Sequence, residues 1–151
     1  MTETFFVDTN ILVYARDTTE PNKHNQARTW LKHLWANRTG RISTQVIKEY
    51  YQVVTRKLNP GLPTETARAD IRDLLTWQPL DINEQILEQA WFLEDHHKFS
   101  WWDSLIIASA RQAGCRWLLS EDLQSDQQIE NLTILNPFTQ NLNEPPTPPN
   151  T

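Results

Sequence analysis

The sequence predicts an α/β fold in which helices cover both faces of a central parallel sheet. Short apolar segments alternate along the chain with amphipathic segments of helical period, and this alternation is typical of parallel sheets. The chain has 151 residues, which is the length of one domain, and its single cysteine cannot form an internal disulfide.

The first third of the chain contains one predicted strand and two predicted helices. Residues 4–7 combine two aromatic residues with a valine, which predicts a buried central strand. Residues 10–16 carry apolar side chains on one side of a helix, and residues 24–37 follow the helical period. Between these helices, residues 17–22 are expected to form a loop that Pro21 interrupts.

The middle third contains the clearest helix, residues 44–58, which has a continuous apolar stripe. A short strand at residues 41–43 precedes this helix. Residues 64–76 are predicted to form another helix, with Thr64 as its N-cap. Residues 79–82 are predicted to form a third short strand.

The last third is predicted to contain two helices and two strands. Asp81 or Asn83 begins a helix that ends before the adjacent histidines, and residues 100–114 form a helix that ends at a glycine. Residues 116–120 and 132–135 are apolar enough for buried strands, and residues 121–128 between them are expected to form a loop that can contain a helical turn.

The chain end differs in composition from the rest. Residues 140–151 hold four prolines and almost no apolar side chains, so we expect residues 139–151 to be a disordered tail. Residues 1–138 then form the single folded domain.

The formal net charge of −5 bears on the partners of the chain. Proteins that grip long nucleic acids are usually basic, so this charge counts against a broad phosphate-binding surface. A small acidic pocket filled by divalent cations remains compatible with it, because such ions reverse the local charge. The apolar run near the N-terminus is too short for a signal peptide or a membrane span, so we expect a soluble, cytoplasmic protein without a membrane partner.

Four acidic residues, Asp8, Glu49, Asp103 and Asp122, are expected to meet at one place. Asp8 and Asp122 follow predicted strands, and ligands of parallel sheets gather at the carboxyl ends of strands. Glu49 shares the apolar face of its helix and has no basic neighbour three or four residues away, so no partner within the helix is expected. Asp103 lies in the first turn of a helix that continues into the core. Hard cations prefer such oxygen ligands, and no histidine–cysteine cluster has zinc-site spacing.

Each carboxylate also has an ordinary structural interpretation. Asp8 is a favoured helix N-cap, and Asp103 occupies the third position of a capping box. Glu49 can lie at the edge of the apolar stripe and reach water, and Asp122 is a common turn residue. Asp126 is a weaker fifth candidate, because it is expected in a flexible loop.

Two other folds also have an acidic pocket. A haloacid-dehalogenase-type phosphatase also has a strand that ends in Asp, but its motif needs a second Asp where this chain has Asn10. A receiver domain needs a lysine after a late strand, and no convincing lysine is present there.

Taken together, the acidic motifs resemble those of the PIN-domain nucleases, specifically the VapC-type toxins of toxin–antitoxin pairs. The matching segments are VDTNIL at residues 7–12, ISTQV with Glu49 at residues 42–49, WDSLI at residues 102–106, LSEDL at residues 119–123 and NPF at residues 136–138. The resemblance covers about residues 4–138, and these motifs together in this order are specific, whereas one Asp-Thr-Asn is not.

The resemblance implies an α/β/α sandwich with a central parallel sheet and a Mg²⁺- or Mn²⁺-dependent ribonuclease. It implies that the four acidic residues are catalytic and hold the metal, and that small polar neighbours orient ligands or phosphate. Those neighbours are Thr9, Asn10 and Ser120. It also implies a frequent homodimer and a small antitoxin protein as a partner.

The function expected on this basis is metal-dependent endonucleolytic cleavage of RNA by a toxin. A PIN protein of RNA processing and a catalytically silent module that binds RNA or protein remain alternatives. The candidate RNA contacts are Arg56, Lys57, Arg16 and Lys98, with Trp101 and Trp102 as candidate stacking residues. Each of these can instead be a surface charge or a packing residue.

Overall fold

The computed structural model describes residues 2–139, which form a five-stranded sheet flanked by six helices. The strands are β1 (Phe5–Val7), β2 (Gly40–Arg41), β3 (Trp117–Leu119), β4 (Gln128–Ile129) and β5 (Leu132–Leu135). The helices are α1 (Thr9–Tyr14), α2 (Pro21–Asn37), α3 (Thr44–Arg56), α4 (Thr64–Leu75), α5 (Glu84–His97) and α6 (Trp101–Gln112).

The sheet has the strand order β2-β1-β3-β5-β4, and every pair is parallel except β4 with β5. The predicted parallel α/β architecture is therefore confirmed for four strands. Val7 pairs with Leu119, so β1 and β3 end at the same level. The backbone N–H of Asp8 then donates to the Leu119 carbonyl at 3.0 Å. The residues that follow β1 and β3 consequently emerge side by side at one edge of the sheet.

The central strands are buried because every side chain of β1 and β3 is apolar and helices cover the sheet. Two buried tryptophans support this core, and each has a partner for its indole N–H. Trp30 donates to the Pro137 carbonyl at 2.9 Å, and Trp117 donates to Glu3 Oε2 at 3.0 Å. These bonds remove the cost of burying an unpaired indole N–H.

Side chains cap four of the helices at their N-termini. Asp8 accepts from Thr9 N, Ser43 from Val46 N, Asn83 from Ile86 N and Ser100 from Asp103 N. Of the two residues predicted to begin α5, Asn83 and not Asp81 is thus its N-cap. Gly114, just beyond α6, has a φ of +73°, which explains why a glycine ends this helix.

One N-cap assignment and one helix start differ from the prediction. Helix α4 begins at Thr64 as expected, but Pro63, without a side-chain bond, is its N-cap. Helix α2 begins at Pro21, earlier than predicted, because a proline at the first helical position loses no hydrogen bond and already has a helical φ.

Two strand assignments also differ from the prediction. Residues 79–82 make only one parallel bridge, between Ser43 and Leu80, because α3 begins at Thr44 and Gln78 has a φ of +55°, so the two segments do not stay extended beyond the bridge. The segment expected to be a loop between β3 and β5 contains β4, a two-residue strand antiparallel to β5. One of its two residues is exposed, so it carries too little apolar pattern to be recognised.

Within residues 2–139, no helix combines the length and apolar character that a bilayer span requires. Of the tail expected at residues 139–151, only Thr139 belongs to the described residues, and the disorder expected there stays a prediction.

We expect Gly40→Ala to destabilise the fold, because a Cβ atom at Gly40 would lie 2.6 and 2.9 Å from two ring carbons of Trp77. Overpacking of this kind costs about 1–3 kcal/mol in the free energy of unfolding, which urea denaturation measures. In a Trp77→Leu background the same substitution should cost clearly less, since the clash is removed. An equal cost in both backgrounds would contradict this account.

Candidate active site

A cavity of about 360 Å³ opens where β1 and β3 end, between α1, α3 and the first turn of α6. Six acidic residues line it, namely Asp8, Asp17, Glu49, Asp103, Glu121 and Asp122. Among the described residues that line this cavity there is no lysine, arginine or histidine. All four predicted carboxylates are therefore brought to one cavity, although they are far apart along the chain.

Asp8 is the most buried of these carboxylates, with 8% of its surface exposed. Its Oδ1 atom accepts from Thr9 N at 2.7 Å and its Oδ2 atom accepts from Ser120 Oγ at 2.7 Å. Burial raises the pKa of Asp8 from 3.8 to about 6, the two hydrogen bonds oppose this shift, and the charges of Asp122 and Glu49 add to it. Asp8 thus caps α1 and also faces the cavity.

Glu49 lies on α3 and is held by two donors. Thr9 Oγ1 donates to Glu49 Oε2 at 3.0 Å, and Gln45 Nε2 donates to Glu49 Oε1 at 2.8 Å. The expectation that Glu49 has no partner within its helix is therefore wrong. An uncharged amide four residues earlier satisfies it, because residues at this spacing lie on the same face.

Asp122 follows β3 in a loop and is connected to the rest of the cavity at two points. Asn10 Nδ2 donates to Asp122 Oδ2 at 2.8 Å. The Asp122 backbone N–H donates to Ser120 Oγ at 3.2 Å, so the fully buried Ser120 hydroxyl joins Asp8 to Asp122. The three small polar candidates, Thr9, Asn10 and Ser120, are each bonded to one of the predicted carboxylates.

Asp103 occupies the third residue of α6, and its backbone N–H donates to Ser100 Oγ at 3.1 Å. Its carboxylate lines the cavity and receives no hydrogen bond from the described residues. The contacts of the described residues therefore leave the Asp103 carboxylate available to a ligand of the cavity.

Glu121 is an acidic residue of the cavity that already has a cation. Lys23 Nζ lies 2.6 Å from Glu121 Oε2, and the Tyr14 hydroxyl donates to Glu121 Oε1 at 2.8 Å. The Lys23 ammonium also lies over the rings of Tyr14 and Phe138, at 5.2 and 5.7 Å from their centroids. These contacts tie the loop after β3 to α1 and α2, and they raise the pKa of Lys23 through its bond with Glu121.

The donor chemistry of the cavity fits a hydrated divalent cation. Within residues 2–139, no three carboxylate, histidine or cysteine side chains are already close enough to enclose an ion, so the carboxylates do not form a complete coordination shell. Two buried acceptors in residues that line the cavity, Asn10 Oδ1 and Gln45 Oε1, lack a donor among the described residues. Mg²⁺ retains several of its waters in proteins, and such waters donate to acceptors of this kind.

The other predicted residues are placed differently. Asp126 is exposed, has a φ of +69° and does not line the cavity. Arg16 forms two bonds with Asp70, at 2.6 and 2.9 Å, and Arg56 lies over the Tyr51 ring. Lys98 ends α5 away from the cavity.

Residues Gln45, Tyr14, Lys23 and Glu121 were not identified from the sequence as parts of the site. Of these, only Gln45 had a sequence signal, because it lies four residues before Glu49. The contacts of the other three span about a hundred residues of sequence, which no local pattern indicates.

The family model of the PIN domain matches residues 5–128 of this chain. This chain belongs to the PIN-domain family. The match contains Asp8, Glu49, Asp103 and Asp122, and family membership removes the phosphatase and receiver-domain alternatives.

Three solved structures share the fold of this PIN domain. The toxin VapC20 of Mycobacterium tuberculosis, described as cleaving the sarcin-ricin loop, is 24% identical with a TM-score of 0.61, over 79% of this chain and 92% of that one. VapBC2 of Rickettsia felis, bound to a promoter DNA fragment, is 20% identical with a TM-score of 0.61, over 87% of this chain and 96% of that one. A toxin–antitoxin complex of Klebsiella pneumoniae is 17% identical with a TM-score of 0.59, over 89% of this chain and 98% of that one. No curated protein matches the sequence.

We expect Asp8→Asn to stabilise the PIN domain at pH 7 in the presence of a chelator. The native state raises the pKa of Asp8 to about 6, so burial of its ionised form is a cost that is absent below pH 3.8 and complete above about pH 6. Asn keeps the shape without the charge, and the gain in the free energy of unfolding should be about 1–3 kcal/mol at pH 7. Urea denaturation from pH 4 to pH 7 measures it, and the gain should shrink towards pH 4. A loss of stability that does not vary with pH would contradict this assignment.

Proposed function

We propose that this PIN protein is a divalent-metal-dependent endoribonuclease and the toxin of a type II toxin–antitoxin pair. The observation that carries the proposal is the cavity in which Asp8, Glu49, Asp103 and Asp122 meet without a basic residue among its described lining. Such a concentration of negative charge is unfavourable unless cations offset it. Membership in the PIN family and the likeness to VapC structures support the same activity.

In this proposal the four carboxylates hold Mg²⁺ or Mn²⁺, directly or through water. When bound, such an ion lowers the pKa of a water and offsets the negative charge that develops on the phosphate. Asp8 follows β1, and its carboxylate is held by hydrogen bonds from Ser120 and Thr9. Asp103 lies in the first turn of α6, and its backbone is held by Ser100.

The polar neighbours act as positioning residues in the proposed reaction. Thr9 and Gln45 hold both oxygens of Glu49, and Asn10 holds one oxygen of Asp122. Partners of this kind orient metal ligands, and their loss typically lowers metal affinity or activity about 10–100-fold. Their polar atoms would also position the scissile phosphate of the RNA.

The assignment as a toxin rests on the likeness to toxin–antitoxin complexes and implies a small antitoxin protein as a partner. We further propose a cytoplasmic homodimer in which residues 1–138 are the PIN domain and residues 139–151 are a separate tail. Coexpression with a candidate antitoxin distinguishes a toxin from a PIN protein of RNA processing, since only the toxin's cleavage of RNA should be inhibited by that partner.

We expect Asp8→Asn to abolish Mg²⁺-dependent cleavage of RNA, with a loss of about 100-fold or more, because a metal ligand contributes at least as much as its supporting residues. Cleavage of a pool of cellular RNAs, followed on gels with and without a chelator, measures it. Asp126→Asn is the matched control, since Asp126 is exposed outside the cavity and Asn tolerates its positive φ. Full activity of Asp8→Asn, or cleavage that survives chelation, would refute the mechanism.

We also expect divalent cations to raise the melting temperature of the wild-type chain. A ligand at about 100 times its Kd stabilises the native state by about 2.7 kcal/mol, which corresponds to several degrees for a domain of this size. Asp8→Asn and Asp103→Asn should lose most of this increase, whereas Asp126→Asn should retain it. An equal increase in all four proteins would show that the cation binds elsewhere.

A further inference from the structure

A wide groove of about 970 Å³ runs along one side of α3 and joins the acidic cavity. The two share four lining residues, Gln45, Glu49, Val53 and Trp102. Another cavity, of about 500 Å³ between α1, α2 and α4, shares no lining residue with the acidic cavity. The α3 groove is therefore a continuous path to the carboxylates, whereas that other cavity is not.

Two lysines of the α3 groove are free to bind an anion. Lys48 and Lys57 are exposed, and neither forms an ion pair within residues 2–139. They are nine residues apart on and just beyond α3, a rise of about 14 Å, so they lie at different points along the groove. In the cavity of about 500 Å³, by contrast, Arg16 is already bonded to Asp70.

Trp102 lies where the groove and the acidic cavity meet, and 62% of its surface is exposed. It belongs to the first turn of α6, directly before Asp103, and its ring stacks on no other described aromatic ring. The neighbouring Trp101 instead stacks on Trp91, with centroids 6.4 Å apart. An exposed indole with a free face is a platform on which an unpaired base stacks.

We propose that the α3 groove holds an unpaired RNA strand and guides it to the carboxylates, an inference that rests on the proposed function. Lys48 and Lys57 contact phosphates, and Trp102 stacks on a base next to the bond that is cut. Ile82 and Leu105 provide apolar surface in the same groove. Bases in a duplex are already stacked, so the groove selects single-stranded segments.

Asp81 also lines the groove, and it is exposed. Its negative charge opposes a phosphate chain, whereas the charge of Glu49 lies at the cation-binding end. The proposal therefore assigns opposite effects to groove residues of opposite charge. Removal of Asp81's charge strengthens RNA binding, and removal of either lysine's charge weakens it.

The test is fluorescence anisotropy of a labelled short single-stranded RNA with the full chain carrying Asp8→Asn, a variant that is expected not to cut the RNA. In this background, Lys48→Gln with Lys57→Gln should lower the affinity about tenfold and reduce the slope of log K against log salt by about 0.7 for each lost phosphate contact. Asp81→Asn should raise the affinity. Lys32→Gln, an exposed lysine of α2 outside the groove, is the matched control and should change neither quantity.

The stacking role is tested separately in the same assay. Trp102→Ala should lower the affinity for single-stranded RNA about tenfold, whereas Trp102→Phe should retain most of it. A matched RNA duplex should bind more weakly than the single strand and respond little to Trp102→Ala. Equal binding of both RNAs, with no effect at Trp102, would refute the stacking role.

The outcomes separate this inference from the proposed function. If the wild-type chain fails to cut RNA but the lysine variants lose affinity, the groove stands and the nuclease proposal fails. If the wild-type chain cuts RNA and neither lysine nor Trp102 affects binding, the nuclease proposal stands and the groove is refuted. In that second case a protein partner becomes the remaining occupant of the groove.

Discussion

The hydrogen bond between Ser120 and Asp8 is the contact on which the organisation of the site depends. It joins the residues that follow two adjacent parallel strands, and both are buried. Hydrogen bonds to a charged group contribute about 1.5–3 kcal/mol, which offsets part of the cost of burying the Asp8 carboxylate. The same Ser120 hydroxyl accepts from the Asp122 backbone, so the end of the sheet also sets the position of the following loop. One buried hydroxyl therefore couples three parts of the site.

The contacts of Glu121 differ from those of the other carboxylates that line the cavity. Lys23 and Tyr14 neutralise and hold this carboxylate, although it lines the same cavity as the others. Asp8, Glu49 and Asp122 instead receive hydrogen bonds from uncharged groups, which orient a carboxylate without cancelling its charge. A lysine in that role would compete with a metal ion. Neutral partners at these positions are thus what a cation site requires, even though they leave the native state with unfavourable repulsion.

The sequence could predict that Asp8 and Asp122 lie close together, because sheet topology brings the residues that follow β1 and β3 to one edge. Asp8 directly follows an apolar strand, and parallel strands deliver such residues to the same edge. The supporting contacts were harder to predict, since Gln45 is an ordinary polar residue whose role depends on the rotation of α3 against α1. Residues 79–82 contain two large aliphatic side chains, which favours a strand, but the start of α3 at Thr44 and the positive φ of Gln78 limit them to a single bridge. Local pattern thus indicates which residues reach the edge of the sheet, while tertiary packing decides what holds them there.

The net negative charge of the chain is compatible with the proposed RNA substrate only if charge is arranged locally. Lys48 lines the groove, and Glu49, the next residue on α3, lines both the groove and the acidic cavity. A phosphate chain that approaches along the groove is attracted by the lysine and repelled by the carboxylates a few ångströms further on. A divalent ion in the cavity reverses that repulsion. RNA and ion should consequently bind with positive coupling, and each should stabilise the other by the same free energy. If the proposed function holds, the acidic cavity would therefore also act in selectivity, because it would admit a phosphate only together with a cation.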